Sequence, residues 1–107
     1  MSDRVYTDKI YTVEELREKL TPIFDNAPVY KAILFGSYAK GDADAKSDVD
    51  IVIDSRGELI NINFFGVMGR AEDAVDKYVD LYEIRELKPD SPVLNAINTD
   101  GMVIYER

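Results

Sequence analysis

The sequence contains no cysteine and no histidine among its 107 residues. Without cysteine there are no disulfide bonds and no thiolate metal ligands, and without histidine there is no imidazole ligand or imidazole acid–base step. A cysteine or serine nucleophile activated by histidine is excluded for the same reason. The chemistry open to this chain therefore depends on carboxylates, amines, guanidinium groups, hydroxyls, backbone amides and a hard metal ion.

Basic residues are scarce, because 13 lysines and arginines stand against 21 aspartates and glutamates, giving a net charge of −8. Such a chain lacks the basic surface that binding to a phosphate backbone requires, so we expect no direct nucleic-acid binding. The sequence also lacks an apolar run of membrane-spanning length and an apolar segment at its start. We therefore expect a soluble, cytoplasmic protein whose charged partners are cations and a basic protein surface.

The length and the 46% hydrophobic content predict one globular domain covering residues 1–107. Thr12 followed by Glu15 is a capping box and predicts a first helix over residues 12–26. Residues 58–64 alternate like a strand, but the spacing of the apolar residues that follow favours a helix. The other predicted elements are strands over 29–35, 48–54, 79–84 and 102–105, a short helix over 38–40, and helices over about 63–76 and 91–98, the last followed by a turn at Asp100-Gly101. Helices alternating with strands predict an α/β or α+β fold with one buried sheet face.

Two aspartates on the second predicted strand are the first sign of chemistry. Side chains alternate along a strand, so Asp48 and Asp50 project from the same face, roughly 6–7 Å apart along the backbone. Two neighbouring carboxylates repel each other unless a cation lies between them. Because no histidine or cysteine is available, oxygen ligands of this kind favour Mg²⁺ or Mn²⁺.

The Gly36-Ser37 step at the end of the first predicted strand is the second sign. A glycine lets the backbone turn sharply and approach a ligand closely. The amides that follow it, together with the Ser37 hydroxyl, would form a small anion-binding site suited to a polyphosphate. A Gly-Ser turn or an Asp-x-Asp pair alone is usually structural. Their combination favours phosphoryl or nucleotidyl transfer, with a metal bridging the phosphates.

At this point the sequence resembles the minimal nucleotidyltransferase family of the polymerase-β-like superfamily, including the antitoxins of HEPN/MNT toxin–antitoxin pairs. The family pattern is Gly-Ser-x-Ala-Arg-Gly, a spacer, Ser-Asp-x-Asp-x-x-Val, and a later aspartate in a strand. The matching residues are Gly36, Ser37, Ala39, Gly41, Ser47, Asp48 and Asp50. Lys40 replaces the arginine, which keeps the charge and loses the bidentate fork. The resemblance covers about residues 29–105 and implies a small mixed β-sheet flanked by helices.

The resemblance also implies roles for individual residues. Asp48, Asp50 and a third aspartate would be the catalytic metal ligands, and the third would also be the candidate general base. Asp80 is the preferred third aspartate, because the competing Asp76 falls at a predicted helix end. The nucleotide-binding residues implied in this way are Gly36, Ser37, Lys40 and Ser47.

The activity implied by the resemblance is Mg²⁺-dependent (or Mn²⁺-dependent) transfer of AMP from ATP to a hydroxyl. The acceptor would be a tyrosine of a HEPN-domain partner, and the chain would act as an antitoxin. Two alternatives remain open from the sequence. One is a non-catalytic antitoxin that neutralises its partner by covering it, and the other is a transferase acting on a small molecule.

Overall fold

The computed structural model describes residues 5–107, which form helices packed around one β-sheet. The helices are α1 (Val13–Asp25), α2 (Ser37–Lys40), α3 (Asn61–Val75) and α4 (Pro92–Asp100), with a 3₁₀ turn at Ile84–Glu86. The strands are β1 (Lys31–Phe35), β2 (Val49–Asp54), β3 (Val79–Glu83) and β4 (Met102–Glu106). None of the helices within residues 5–107 is both long enough and apolar enough to cross a membrane.

The sheet is mixed, as the sequence predicted, and its strand order is β3-β2-β1-β4. β1 pairs antiparallel with both β2 and β4, whereas β2 and β3 are parallel and are connected through α3. A parallel pair needs such a crossover, because a tight turn cannot join its strands. This topology brings the end of β1 and the starts of β2 and β3 to the same edge of the sheet.

The main core lies between one face of the sheet and the helices α1 and α3. α1 contributes fully buried side chains at intervals of four residues, namely Leu16, Leu20 and Phe24. Its capping box is confirmed, since the Glu15 amide donates to Thr12 Oγ1 at 3.1 Å and the Thr12 amide donates to Glu15 Oε1 at 2.9 Å. The helix continues through Pro22 and ends at Asp25.

The prediction of a single buried sheet face is wrong at the centre of the sheet. Three consecutive residues of β2, Ile51, Val52 and Ile53, are all buried, although consecutive side chains point to opposite faces. The second face is covered in part by α4, which packs against β1. The sequence pattern of β2 is the continuous apolar run of a strand that is covered on both sides.

Two element boundaries also differ from the sequence prediction. α3 begins at Asn61 in a left-handed conformation (φ 53°), so the alternation over residues 58–64 is not a strand. The predicted turn at Asp100-Gly101 is wrong, because α4 includes Asp100 and Gly101 has an ordinary φ of −60°. An Asp-Gly pair is typical of turns, but here the Gly101 amide closes the helix by donating to Ile97 O at 2.8 Å.

Candidate active site

Asp50 and Asp80 are direct neighbours across the parallel strands β2 and β3. Partners in register point to the same face of the sheet, so the two carboxyl groups meet, and Asp80 hydrogen-bonds to Asp50. Asp48 lies one residue before β2, at the same edge of the sheet. Its carboxyl group is within electrostatic range of Asp80. The structure thus brings the three predicted acids to one edge, with Asp50 and Asp80 in contact.

Negative charge is crowded at this edge. Burial, followed by the hydrogen bond and the charge of Asp80 and by the charge of Asp48, raises the pKa of Asp50 to about 7. Partial burial and the charge of Asp80 also raise the pKa of Asp48, while Lys77 acts in the opposite direction. Without a cation, the Asp50–Asp80 pair therefore holds a proton near neutral pH. An ionised pair would repel itself in a partly desolvated setting.

The donor set fits a hard divalent cation such as Mg²⁺, which prefers carboxylate oxygens and retains several waters. No group of three or more acidic side chains within residues 5–107 is arranged to hold a metal as it stands. Asp50 and Asp80 are hydrogen-bonded to each other. A cation bound at this edge would take the place of the shared proton and would bring oxygens from both carboxylates to itself.

Gly36 is the point where the Gly-Ser turn meets the carboxylates. Its backbone is left-handed (φ 74°), a conformation that residues with a side chain rarely adopt. A Cβ atom at this position would lie 2.2 Å from Oδ2 of Asp50, which is a severe clash. The backbone angle favours glycine, and any larger residue would displace the Asp50 carboxylate. The start of α2 therefore lies beside Asp50.

The other predicted nucleotide-binding residues lie on α2 and in the loop before β2. Ser37 begins α2, and its carbonyl accepts from the amides of Gly41 and Asp42 at 3.0 and 3.1 Å. Lys40 is exposed at the end of the same turn. The Ser47 hydroxyl accepts from the Asp44 amide at 2.8 Å and so closes the loop before β2. A nucleotide contact by Lys40 or Ser47 stays a prediction.

Asp76, the alternative candidate for the third carboxylate, contacts the N-terminal segment instead of Asp50. It ends α3 in a left-handed conformation, and its carboxylate and carbonyl oxygens both accept from the Thr7 amide, at 3.1 and 3.2 Å. This carboxylate fixes the N-terminal segment to α3. Asp80, which pairs with Asp50, is by geometry the better candidate for the third acid.

Sequence reasoning missed Lys77. Only 3% of this residue is exposed, and its Nζ donates to Thr7 O and to Ala45 O, each at 3.0 Å. Both acceptors are backbone carbonyls of segments remote in the chain, so the sequence carries no signal for these contacts. Tyr82 could have been found from the sequence, because it lies two residues after Asp80 and therefore on the same face of β3. Its ring lies 6.0 Å from that of Phe35, and burial together with Asp80 and Asp50 raises its pKa.

A protein-family model also matches this chain. The model described as polymerase beta, nucleotidyltransferase matches residues 18–107. The chain therefore belongs to this nucleotidyltransferase family, and the resemblance and the fold class inferred from its motifs are confirmed.

Similar proteins of known description are adenylyltransferases and antitoxins. MntA of Shewanella oneidensis, named as a protein adenylyltransferase, is 37% identical over 62 residues, which cover 57% of this chain and 45% of that protein. The chain thus spans less than half the length of this relative. A toxin–antitoxin structure with AMP-PNP has a TM-score of 0.72 and 26% identity, covering 85% of this chain and 73% of that one. A complex of a tri-AMPylated Shewanella oneidensis HEPN toxin with its MNT antitoxin has a TM-score of 0.61 and 29% identity, covering 89% and 71%.

Proposed function

We propose that this chain is a Mg²⁺-dependent adenylyltransferase that transfers AMP from ATP to a tyrosine of a HEPN-domain partner and thereby acts as its antitoxin. The observation that carries the proposal is the Asp50–Asp80 pair, with Asp48 beside it and Gly36 against it. Acidic side chains beside a glycine turn can hold a metal ion next to a bound phosphate, as nucleotidyl transfer requires. We expect the reaction to take place in the cytoplasm, where ATP is available.

In this proposal Asp48, Asp50 and Asp80 hold the metal. Bound Mg²⁺ would supply Lewis-acid polarisation of the phosphate. Asp80 is exposed at the edge strand of the sheet, so it is the acid that an incoming acceptor reaches first. Asp80 would therefore also take the proton from the acceptor hydroxyl, whose oxygen bonds to the α-phosphorus while the bond to pyrophosphate breaks.

The turn after β1 would hold the leaving phosphates. Gly36 allows the chain to approach Asp50, and the first amides of α2 have no partners within the helix. The Ser37 hydroxyl and the Lys40 ammonium group are the side chains of this turn that suit an anion. Ser47, in the loop before β2, is the further candidate. These groups position the triphosphate so that its α-phosphate faces the three acids.

The choice of acceptor rests on similar proteins. The relative from Shewanella oneidensis is named as a protein adenylyltransferase, and one similar structure contains an AMPylated HEPN toxin. The net charge of −8 suits contact with a basic partner surface.

The test is transfer of label from α-labelled ATP to a HEPN-domain partner protein, in the presence of Mg²⁺. We expect transfer by the wild type and its loss in Asp50→Asn and Asp80→Asn. Asp54→Asn is the matched control, because Asp54 lies on the same strand and the same face at the far end of β2. Undiminished transfer by Asp50→Asn would rule out this site.

The same variants separate catalysis from occlusion. If the chain acts by transfer, Asp50→Asn and Asp80→Asn fail to neutralise the partner although they still bind it. Full neutralisation by these variants would instead favour the non-catalytic antitoxin.

A further inference from the structure

A cavity of about 420 Å³ opens beside Asp48, at the edge where β2 and β3 begin. Its walls come from residues 5–8, from the loop before β2 and from Lys77 and Tyr78 before β3. This volume is in the range of small-molecule sites. Residues 5–8 lie outside the segment 18–107 that the family model matches, so membership of the family does not by itself account for this cavity.

Hydrogen bonds connect two walls of the cavity. The buried Lys77 ammonium group donates to Thr7 O on one wall and to Ala45 O on the other, each at 3.0 Å. The Thr7 amide is held in turn by the Asp76 carboxylate at 3.1 Å. One buried cation therefore fixes the distance between the N-terminal segment and the loop before β2, which form two walls of the cavity.

An aromatic surface borders this cavity. The Tyr78 ring packs against the Tyr6 ring with centroids 4.4 Å apart, and 58% of Tyr78 remains exposed. Aromatic rings held in this way are stacking surfaces for nucleobases, since every base has a π-face. Asp8, Lys46 and Ser47 add acceptors and donors along the wall.

The position of the cavity relative to the carboxylates indicates which part of a nucleoside triphosphate it could bind. Gly36 and the start of α2 lie on the β1 side of Asp50, whereas the cavity lies on the β3 side and includes Asp48. A triphosphate that begins at Gly36 and passes the carboxylates therefore directs its nucleoside toward Tyr78. Asp80, at which the acceptor is expected, does not line the cavity.

We propose that this cavity binds the nucleoside moiety of the nucleoside triphosphate, with the base stacked on Tyr78. The inference rests on the proposed function, because it takes the phosphates to lie between Gly36 and the carboxylates. Tyr78 is then a specificity-determining residue, whose ring favours nucleotides over inorganic phosphates.

The test compares the binding of ATP with that of inorganic tripolyphosphate, both with Mg²⁺, by titration calorimetry on the full chain. We expect Tyr78→Ala to weaken ATP binding roughly five- to 150-fold while tripolyphosphate binding is unchanged. Tyr78→Phe keeps the ring and should bind ATP as the wild type does. Tyr30→Ala removes a tyrosine that stacks on Arg56, outside the cavity lining, and should change neither affinity.

A second variant fills the cavity instead of removing its aromatic wall. Ala45 lines the cavity, and Ala45→Phe should block the nucleoside while leaving tripolyphosphate binding unchanged. This variant keeps the backbone carbonyl that accepts from Lys77, so the hydrogen bond between the two walls of the cavity is retained.

Three results would overturn the inference. The first is that Tyr78→Ala binds ATP as the wild type does, and the second is that it loses both ligands equally. The third is a wild type that binds tripolyphosphate as tightly as ATP, in which case the proposed function stands and the cavity has no part in nucleotide binding. A wild type that binds neither ligand would remove the proposed function as well.

Discussion

The substitution Asp50→Asn should change how the stability of the metal-free protein depends on pH. The pKa of Asp50 is raised to about 7 by burial and by Asp80. An unfolded aspartate titrates near pH 4. Between these values the folded state binds more protons than the unfolded state, so the free energy of unfolding falls as the pH rises. The contribution of Asp50 is fully present below about pH 4 and is lost as the pH passes about 7.

The size of this effect depends on the difference between the pKa of Asp50 and the lowest pH of the experiment. From pH 5 to pH 8, the unfolded aspartate stays ionised while Asp50 loses its proton near pH 7. The two pH units between pH 5 and this pKa, at 1.36 kcal/mol each, give an upper limit of about 2.7 kcal/mol for the loss of stability. Asp50 is only partly buried, so solvent screening reduces the expected loss to about 1–2 kcal/mol. Asparagine has the same shape and no charge, and so lacks this loss.

Urea denaturation across this pH range, with a chelator present, measures the difference. We expect Asp50→Asn to gain about 1–2 kcal/mol relative to the wild type as the pH rises from 5 to 8. Asp54→Asn, on the same face of β2, is the control for replacing an aspartate of this strand. If the free energies of unfolding of the wild type and Asp50→Asn depended on pH in the same way, the pKa of Asp50 would not be raised in the folded protein.

Two further substitutions test the surroundings of the site. Gly36→Ala and Gly41→Ala both force a side chain into a left-handed backbone (φ 74° and 83°), which costs roughly 1–3 kcal/mol each. Only Gly36→Ala also places a Cβ against Asp50, so it alone should abolish label transfer; equal activity of the two variants would contradict this. Lys77→Met leaves two carbonyls without their donor and should lower the free energy of unfolding by roughly 1–3 kcal/mol in urea denaturation. The exposed Lys88→Met is its control, and equal stability of these two variants would show that the bonds of Lys77 contribute nothing.

Elements that depend on local signals were predictable from the sequence. The capping box at Thr12 and the Ser91 cap of α4 each involve residues within one helical turn, and both are present. The carboxylate site followed from alternation along β2 and from a family motif. Asp80 could be preferred over Asp76 because it lies inside a predicted strand, and the register of β2 with β3 then brings it to Asp50.

The parts that escaped prediction depend on contacts between distant segments. Lys77 joins Thr7 to Ala45, and no local pattern distinguishes it from a solvated lysine at a helix end. The cavity beside Asp48 exists only because those segments meet, so composition and spacing cannot show it. Gly101 was assigned to a turn because Asp-Gly is typical of one, whereas the position actually requires glycine because a Cβ would lie 2.4 Å from Ile97 O.

Nucleotidyl transfer can be distinguished from other phosphate chemistry with two labelled forms of ATP. The partner protein is incubated with this chain and Mg²⁺, using ATP labelled at either the α- or the γ-phosphate. We expect the α-label to appear on a tyrosine of the partner, the γ-label to leave as pyrophosphate, and Asp50→Asn to transfer neither label. Transfer of the γ-label, or α-label transfer that persists in Asp50→Asn, would contradict nucleotidyl transfer at the Asp48–Asp50–Asp80 site.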